Sequence, residues 1–190
     1  MRLPSYRLGV ILAFILQVGL LGWLVVDRAT LIANGKEIRL EVLPVDPADL
    51  FRGDYVTLNY AISRIASTSV DGDNDFNYQD LIYVSLADDG AGGWKATAIS
   101  HAPPPSGVFL KGTVHEIGKS GPCTGVSECT LYTVGYNLEQ WFVPEGTGHD
   151  IDQARNGHQV SVDVAVAGDG RAALKRLLVD GQVKYLEGLY

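Results

Sequence analysis

Residues 8–26 (LGVILAFILQVGLLGWLVV) carry no charge, and Gln17 is the one strongly polar side chain among them. A helix over this run spans about 28 Å at ~1.5 Å per residue, close to the ~30 Å hydrocarbon thickness of a bilayer. Helical backbone satisfies its own hydrogen bonds, so such a run crosses lipid at no polar cost. Tyr6 and Trp23 fall near the two ends, where amphipathic rings prefer the headgroup boundary. Gly19 and Gly22 are three apart rather than four and are read as lipid-facing, not as a helix-pairing motif.

Charge sets the expected orientation. Arg2 and Arg7 precede the run, while Asp27 and Arg28 follow it and cancel. The positive flank stays in the cytoplasm, which places everything after residue 26 on the extracytoplasmic side of the membrane. The rival reading is a cleaved signal peptide, whose apolar core is shorter, about 7–15 residues, and ends in small residues. The flank Asp27-Arg28-Ala29-Thr30 offers no Ala-x-Ala, so a retained anchor is expected. The chain then divides into a cytoplasmic N-terminus (1–7), a transmembrane helix (8–26), a juxtamembrane linker (27–37) and one extracytoplasmic domain (38–190). The lipid bilayer is the first partner this implies.

The outer part is long enough for one domain with its own core. The chain carries 15 basic against 22 acidic residues, a formal charge of −7. Arg2 and Arg7 lie before the anchor, so the outer domain is more acidic still. Such a domain does not hold nucleic acid, or anionic headgroups, by bulk attraction.

Apolar residues alternate with polar ones over 38–42 and 56–62, the period of half-buried strands. Further strands are expected at 81–86, 94–99, 108–117, 129–136, 160–166, 172–179 and 183–186. Asp180-Gly181 marks a hairpin before the last of these. Long helical periodicity is missing after the anchor, so the expected fold is mainly β, with one or two short helices. Asp46-Pro47 opens one, over 46–51, as an N-cap followed by proline. The other runs over 149–155 and stops at Asn156-Gly157.

The most distinctive segment is Gly53-Asp54-Tyr55-Val56-Thr57-Leu58-Asn59-Tyr60. Gly53 suits a turn, Asp54 can fix that turn through nearby amides, and Tyr55 opens a strand on which Leu58 and Tyr60 share a face. Taken alone, this is a turn leading into a core strand. The segment matches the signature of the bacterial membrane-anchored GDYxxLxY family. The resemblance extends to Pro44-x-Asp46-Pro47, Leu50-x-Arg52, the run 136–146 (YNLEQWFVPEG), the run 169–175 (DGRAALK) and Asp180-Gly181. It implies an anchored outer domain and adds no activity, because the family has no known biochemistry.

A weaker resemblance is to type I signal peptidases, which also place a Gly-Asp turn and an outer β domain after an N-terminal anchor. Their nucleophilic serine lies just before that turn. Residues 43–52 (LPVDPADLFR) contain no serine, threonine or cysteine. Lys111 and Lys175 lie on expected strands, but a base without a nucleophile cannot run acyl transfer.

Cys123 and Cys129 bracket a turn-like TGVSE and are read as a structural disulfide at a hairpin tip, suited to an oxidising compartment. Asp71, Asp73 and Asp75 suggest a calcium loop, but Phe76 and Ile82 stand where an EF-hand needs glycine and glutamate. They are read as a solvated acidic loop. Glu145, His149, Asp150, Asp152 and His158 have no zinc-site order and are read as exposed polar residues around a helix start, and His101 and His115 as isolated residues. No metal or cofactor is expected.

Arg52, Glu139, Glu145, Arg171 and Lys175 fall inside the family-like segments and form the expected binding surface, beside the signature residues Gly53, Asp54, Tyr55, Leu58 and Tyr60. No nucleophile–base pair accompanies them. The leading expectation is a non-enzymatic accessory or assembly factor for an integral membrane partner. The alternative is a ligand-binding or hydrolase-like domain using the acidic and basic residues near the Gly-Asp turn.

Overall fold

The computed structural model describes residues 4–43, 55–120, 129–142 and 160–186. Helix α1 (Pro4–Asn34) is followed by strands β1 (Lys36–Leu43), β2 (Tyr55–Thr57) and β3 (Asn59–Tyr60). A 3-10 turn (Ala61–Ser63) leads to β4 (Arg64–Ala66), β5 (Asp71–Gly72), β6 (Leu81–Asp88), β7 (Trp94–Ser100) and β8 (Val108–Ser120). Then come β9 (Cys129–Gly135), β10 (Gln140–Phe142), β11 (Val160–Val166), β12 (Ala172–Val179) and β13 (Gln182–Leu186). The protein is mainly β, and α1 is the one α-helix among the described residues. The short helices expected at 46–51 and 149–155 lie outside those residues.

Two larger sheets run in the orders β13-β12-β11-β1-β3 and β4-β9-β8-β6-β7-β5, and β10 pairs with β2 separately. Alternation decides which side chains go inward. Ile38, Leu40 and Val42 of β1 face Val164 and Val162 of β11, and they meet Ile82 and Val84 of β6, Leu110 and Val114 of β8 and Tyr132 of β9 in one continuous core.

The strands expected at 160–166 and 172–179 coincide with β11 and β12. The one expected over 56–62 is broken, because the chain changes partners at Leu58. Before it, β2 pairs with β10; after it, β3 pairs with β1. Leu58 itself donates its amide to the Glu139 carbonyl at 2.7 Å.

Helix α1 differs most from expectation. It is long and apolar enough to cross a membrane, but it continues to Asn34, through residues expected to form a linker. At 31 residues it measures about 46 Å, longer than a ~30 Å hydrocarbon layer. Its last turns pack on the outer face of β11 and β12, where Leu31 and Ile32 cluster with Ala173. Gly35 ends the helix with its amide on the Leu31 carbonyl at 2.9 Å. A Cβ at Gly35 would lie 2.6 Å from that carbonyl and 3.0 Å from the Ala165 Cβ, so only glycine lets the chain turn this close to β11.

Candidate functional site

The family-like residues fall into two groups in space. The first joins the signature strand to the run that begins at Tyr136. Leu58 and Tyr60 are fully buried. The Tyr60 hydroxyl donates to the Leu138 carbonyl at 2.5 Å, and the Tyr136 hydroxyl to the Ile62 carbonyl at 2.8 Å. Asn137 takes a left-handed conformation (φ 58°), which asparagine tolerates, and folds the chain back. The Glu139 carboxylate then accepts the Tyr136 amide at 2.5 Å. Burial, and secondarily the Glu139 charge, pushes both tyrosine hydroxyls well above their ordinary value. Glu139, expected on a binding surface, holds this turn through one carboxylate oxygen. Tyr55 is opposite Phe142 in the β2–β10 pair. Arg52, Gly53, Asp54 and Glu145 lie outside the described residues, as does Cys123. Cys129 is buried at the start of β9 and is not free.

The second group is the junction between α1 and the β domain, built by Asp169-Gly170-Arg171. Gly170 adopts φ +83°, and a Cβ there would lie 2.7 Å from the Phe109 ring. Glycine thus lets the β11–β12 hairpin approach β8, where the Lys111 amide donates to the Gly170 carbonyl at 2.8 Å. The Asp169 carboxylate accepts the Arg171 amide at 3.1 Å and its Nε at 2.7 Å. With its fork so oriented, Arg171 reaches Asp27 on α1 through Nη1 at 2.6 Å and Nη2 at 3.2 Å. The bond to Asp27, then that to Asp169, raises the guanidinium pKa further. Arg28 adds a bond from Nη1 to the Ala172 carbonyl at 3.3 Å.

Two clefts flank this clamp, and both include Asp27, Leu31 and Arg171 in their walls. One, of about 400 Å³, extends past Gly35 and Lys36 to Phe109 and Gly168. The other, of about 320 Å³, is walled by Arg28, Lys111, Thr113, Tyr136 and Asn137. The turn of the first group thus borders the junction.

Lys175 joins a different network, on the outer face of the β1–β11–β12 sheet. The register shifts so that Asp163 pairs with Arg176 and Val164 with Leu174, leaving Lys175 as an extra residue in β12. The bulge lets Lys175 and Arg176 both reach Glu37; the Lys175 Nζ bond is 2.8 Å. Arg176 also donates to Asp163 at 3.0 Å, and Arg39 closes on the same carboxylate at 2.7 and 3.1 Å.

The acidic loop is tied down as well. Asp73 accepts the His101 amide at 2.9 Å, Asp75 meets His101 Nε2 at 3.0 Å, and the His101 ring stacks on Phe76. Among the described residues no cluster of His, Cys, Asp or Glu could hold a metal.

In the sequence Asp27 and Arg28 stand out only as flanking charges that cancel, and Leu31 not at all. Two signals point to them. Leu31 and Ile32 resume apolar character after the charged pair. Ala165 and Ala173 are small, uncharged residues on an outer face where alternation calls for polar ones.

The family whose model matches the chain is described as GDYXXLXY protein, over residues 17–177. No curated protein and no solved structure matches, so the weaker likeness to type I signal peptidases gains no support.

Proposed function

The chain belongs to the family of GDYXXLXY proteins, and from that premise we propose that it is a membrane-anchored, extracytoplasmic accessory or assembly factor for an integral membrane partner. In this reading α1 is retained in the bacterial inner membrane, with Arg2 and Arg7 on the cytoplasmic side. The β domain then stands outside, where Cys123 and Cys129 pair as a disulfide.

The observation that carries the reading is the unbroken passage from the apolar run into a docked helix end. A flexible linker would let the domain sweep a wide volume. Here Leu31 and Ile32 pack on Ala173, and Arg171 bridges back to Asp27. The domain is mounted at one height and one orientation, presenting the same face to neighbours in the bilayer. Confinement to that layer raises its effective concentration toward membrane proteins, provided the geometry lets both engage.

Photo-crosslinking from native membranes tests this, with the probe placed in turn on α1 and on the outer domain. The expected outcome is one defined membrane protein captured by the wild type and lost when Gly53-Asp54 is replaced by Ala-Ala in a chain that still folds. A capture pattern indistinguishable from that of an unrelated single-pass protein would sink the accessory role.

A further inference from the structure

We propose that the smaller junction cleft is a binding site for the phosphate of an anionic phospholipid headgroup. The proposal rests on the anchored reading of α1 and concerns a ligand that reading does not supply. The chain as a whole is acidic, at −7, so bulk attraction favours no anion. Locally the balance reverses. Arg171 binds two carboxylates, Asp27 and Asp169, and this cluster keeps one net negative charge. Among the described residues Arg28 binds only the neutral Ala172 carbonyl, and Lys111 has no ion-pair partner.

These two cations outweigh that charge, come from different elements, α1 and β8, and stand in the walls of the same cleft of about 320 Å³. Thr113 lies two residues beyond Lys111 on β8, and Asn137 on the left-handed turn. Hydroxyl and amide groups there supply neutral donors beside the charges, a set that suits a phosphate's several acceptor oxygens.

Position names the source of the phosphate. Arg28 comes two residues after Val26, the last residue of the uncharged run. With that run in the hydrocarbon layer, the cleft opens at headgroup height. Fields from exposed charges decay over about 8 Å at physiological salt, so the local pair of cations, not the distant acidic surface, governs what binds there.

The test uses the full-length chain in nanodiscs, with native mass spectrometry counting retained lipids. Nanodiscs of phosphatidylglycerol are compared with nanodiscs of phosphatidylcholine. The expected result is one retained phosphatidylglycerol per chain, held in preference to phosphatidylcholine, whose choline cation is repelled by Arg28 and Lys111. Arg28→Gln with Lys111→Gln should weaken retention on the order of thirty-fold, at roughly one lipid-facing charge each. Arg28→Lys with Lys111→Arg should keep it, and Lys184→Gln, on β13, should leave it unchanged. Unfolding midpoints of all variants separate lost binding from lost fold.

Equal retention of both lipids, or no effect of the double neutral variant, overturns the proposal. Displacement by millimolar inorganic phosphate would overturn the lipid assignment in favour of a free anion. An intact mass lacking α1 would overturn the anchored reading and this site together. An intact α1 with no retained lipid would overturn the site alone.

Discussion

Asp163 is a carboxylate on the outward side of β11 that is nonetheless buried, because Arg39 and Arg176 close over it from the two neighbouring strands. The two arginines keep part of their surface in water, so the three residues are not equivalent. Asp163→Asn keeps the shape and most hydrogen bonds and removes the charge at the centre; its expected cost is about 1–2 kcal/mol. Removing both partners, Arg39→Ala with Arg176→Ala, strands a buried carboxylate and should cost about 3–5 kcal/mol. Urea unfolding of the three proteins should return that order; equal losses would mean the aspartate is solvated through another route. The sequence places all three residues on strands, but the register that puts them in one row is a long-range property.

Helix α1 and the β11–β12 hairpin form the element-scale device. Its energetics and its function separate cleanly. The Arg171–Asp27 pair is exposed, and solvent screening leaves such pairs with little effect on stability. Arg171→Ala should therefore barely move the unfolding midpoint. It should instead broaden the distance distribution between spin labels on α1 and on β13, measured by pulsed electron paramagnetic resonance, because the ion pair is gone and only the Arg28 bond to Ala172 and the packing of Leu31 and Ile32 on Ala173 remain. An unchanged distribution would assign the mount to the apolar packing and the Arg28 bond, without the ion pair. The run Asp169-Gly170-Arg171 stands out in the sequence as a turn. Nothing local to it reveals that its arginine reaches across to residue 27.

On the scale of the whole molecule, the buried tyrosines set an alkaline limit. Tyr60 and Tyr136 are held above the ordinary tyrosine value of 10.0, chiefly by burial. A raised folded pKa gives stability that is intact below the unfolded value and is lost as pH climbs past it, because only the unfolded chain then releases those protons. Stability should fall above pH 10, by up to about 1.4 kcal/mol per pH unit for each tyrosine. Phenolate absorbance should show these two ionising only as the domain unfolds; their ionisation in a domain that keeps its circular dichroism would contradict the buried geometry. The sequence by itself determined the apolar helix, the mainly β character and most strand positions, because hydrophobic run length and period-2 alternation are local signals. It also carried the family resemblance, which the match over residues 17–177 now establishes. Only the tertiary structure decided that the strand through Leu58 changes partners, that Glu139 holds a turn, and that the stretch after residue 26 is a docked helix end. Each of these depends on which distant backbone or side chain arrives opposite, and strand register across more than a hundred residues is not written in any local pattern.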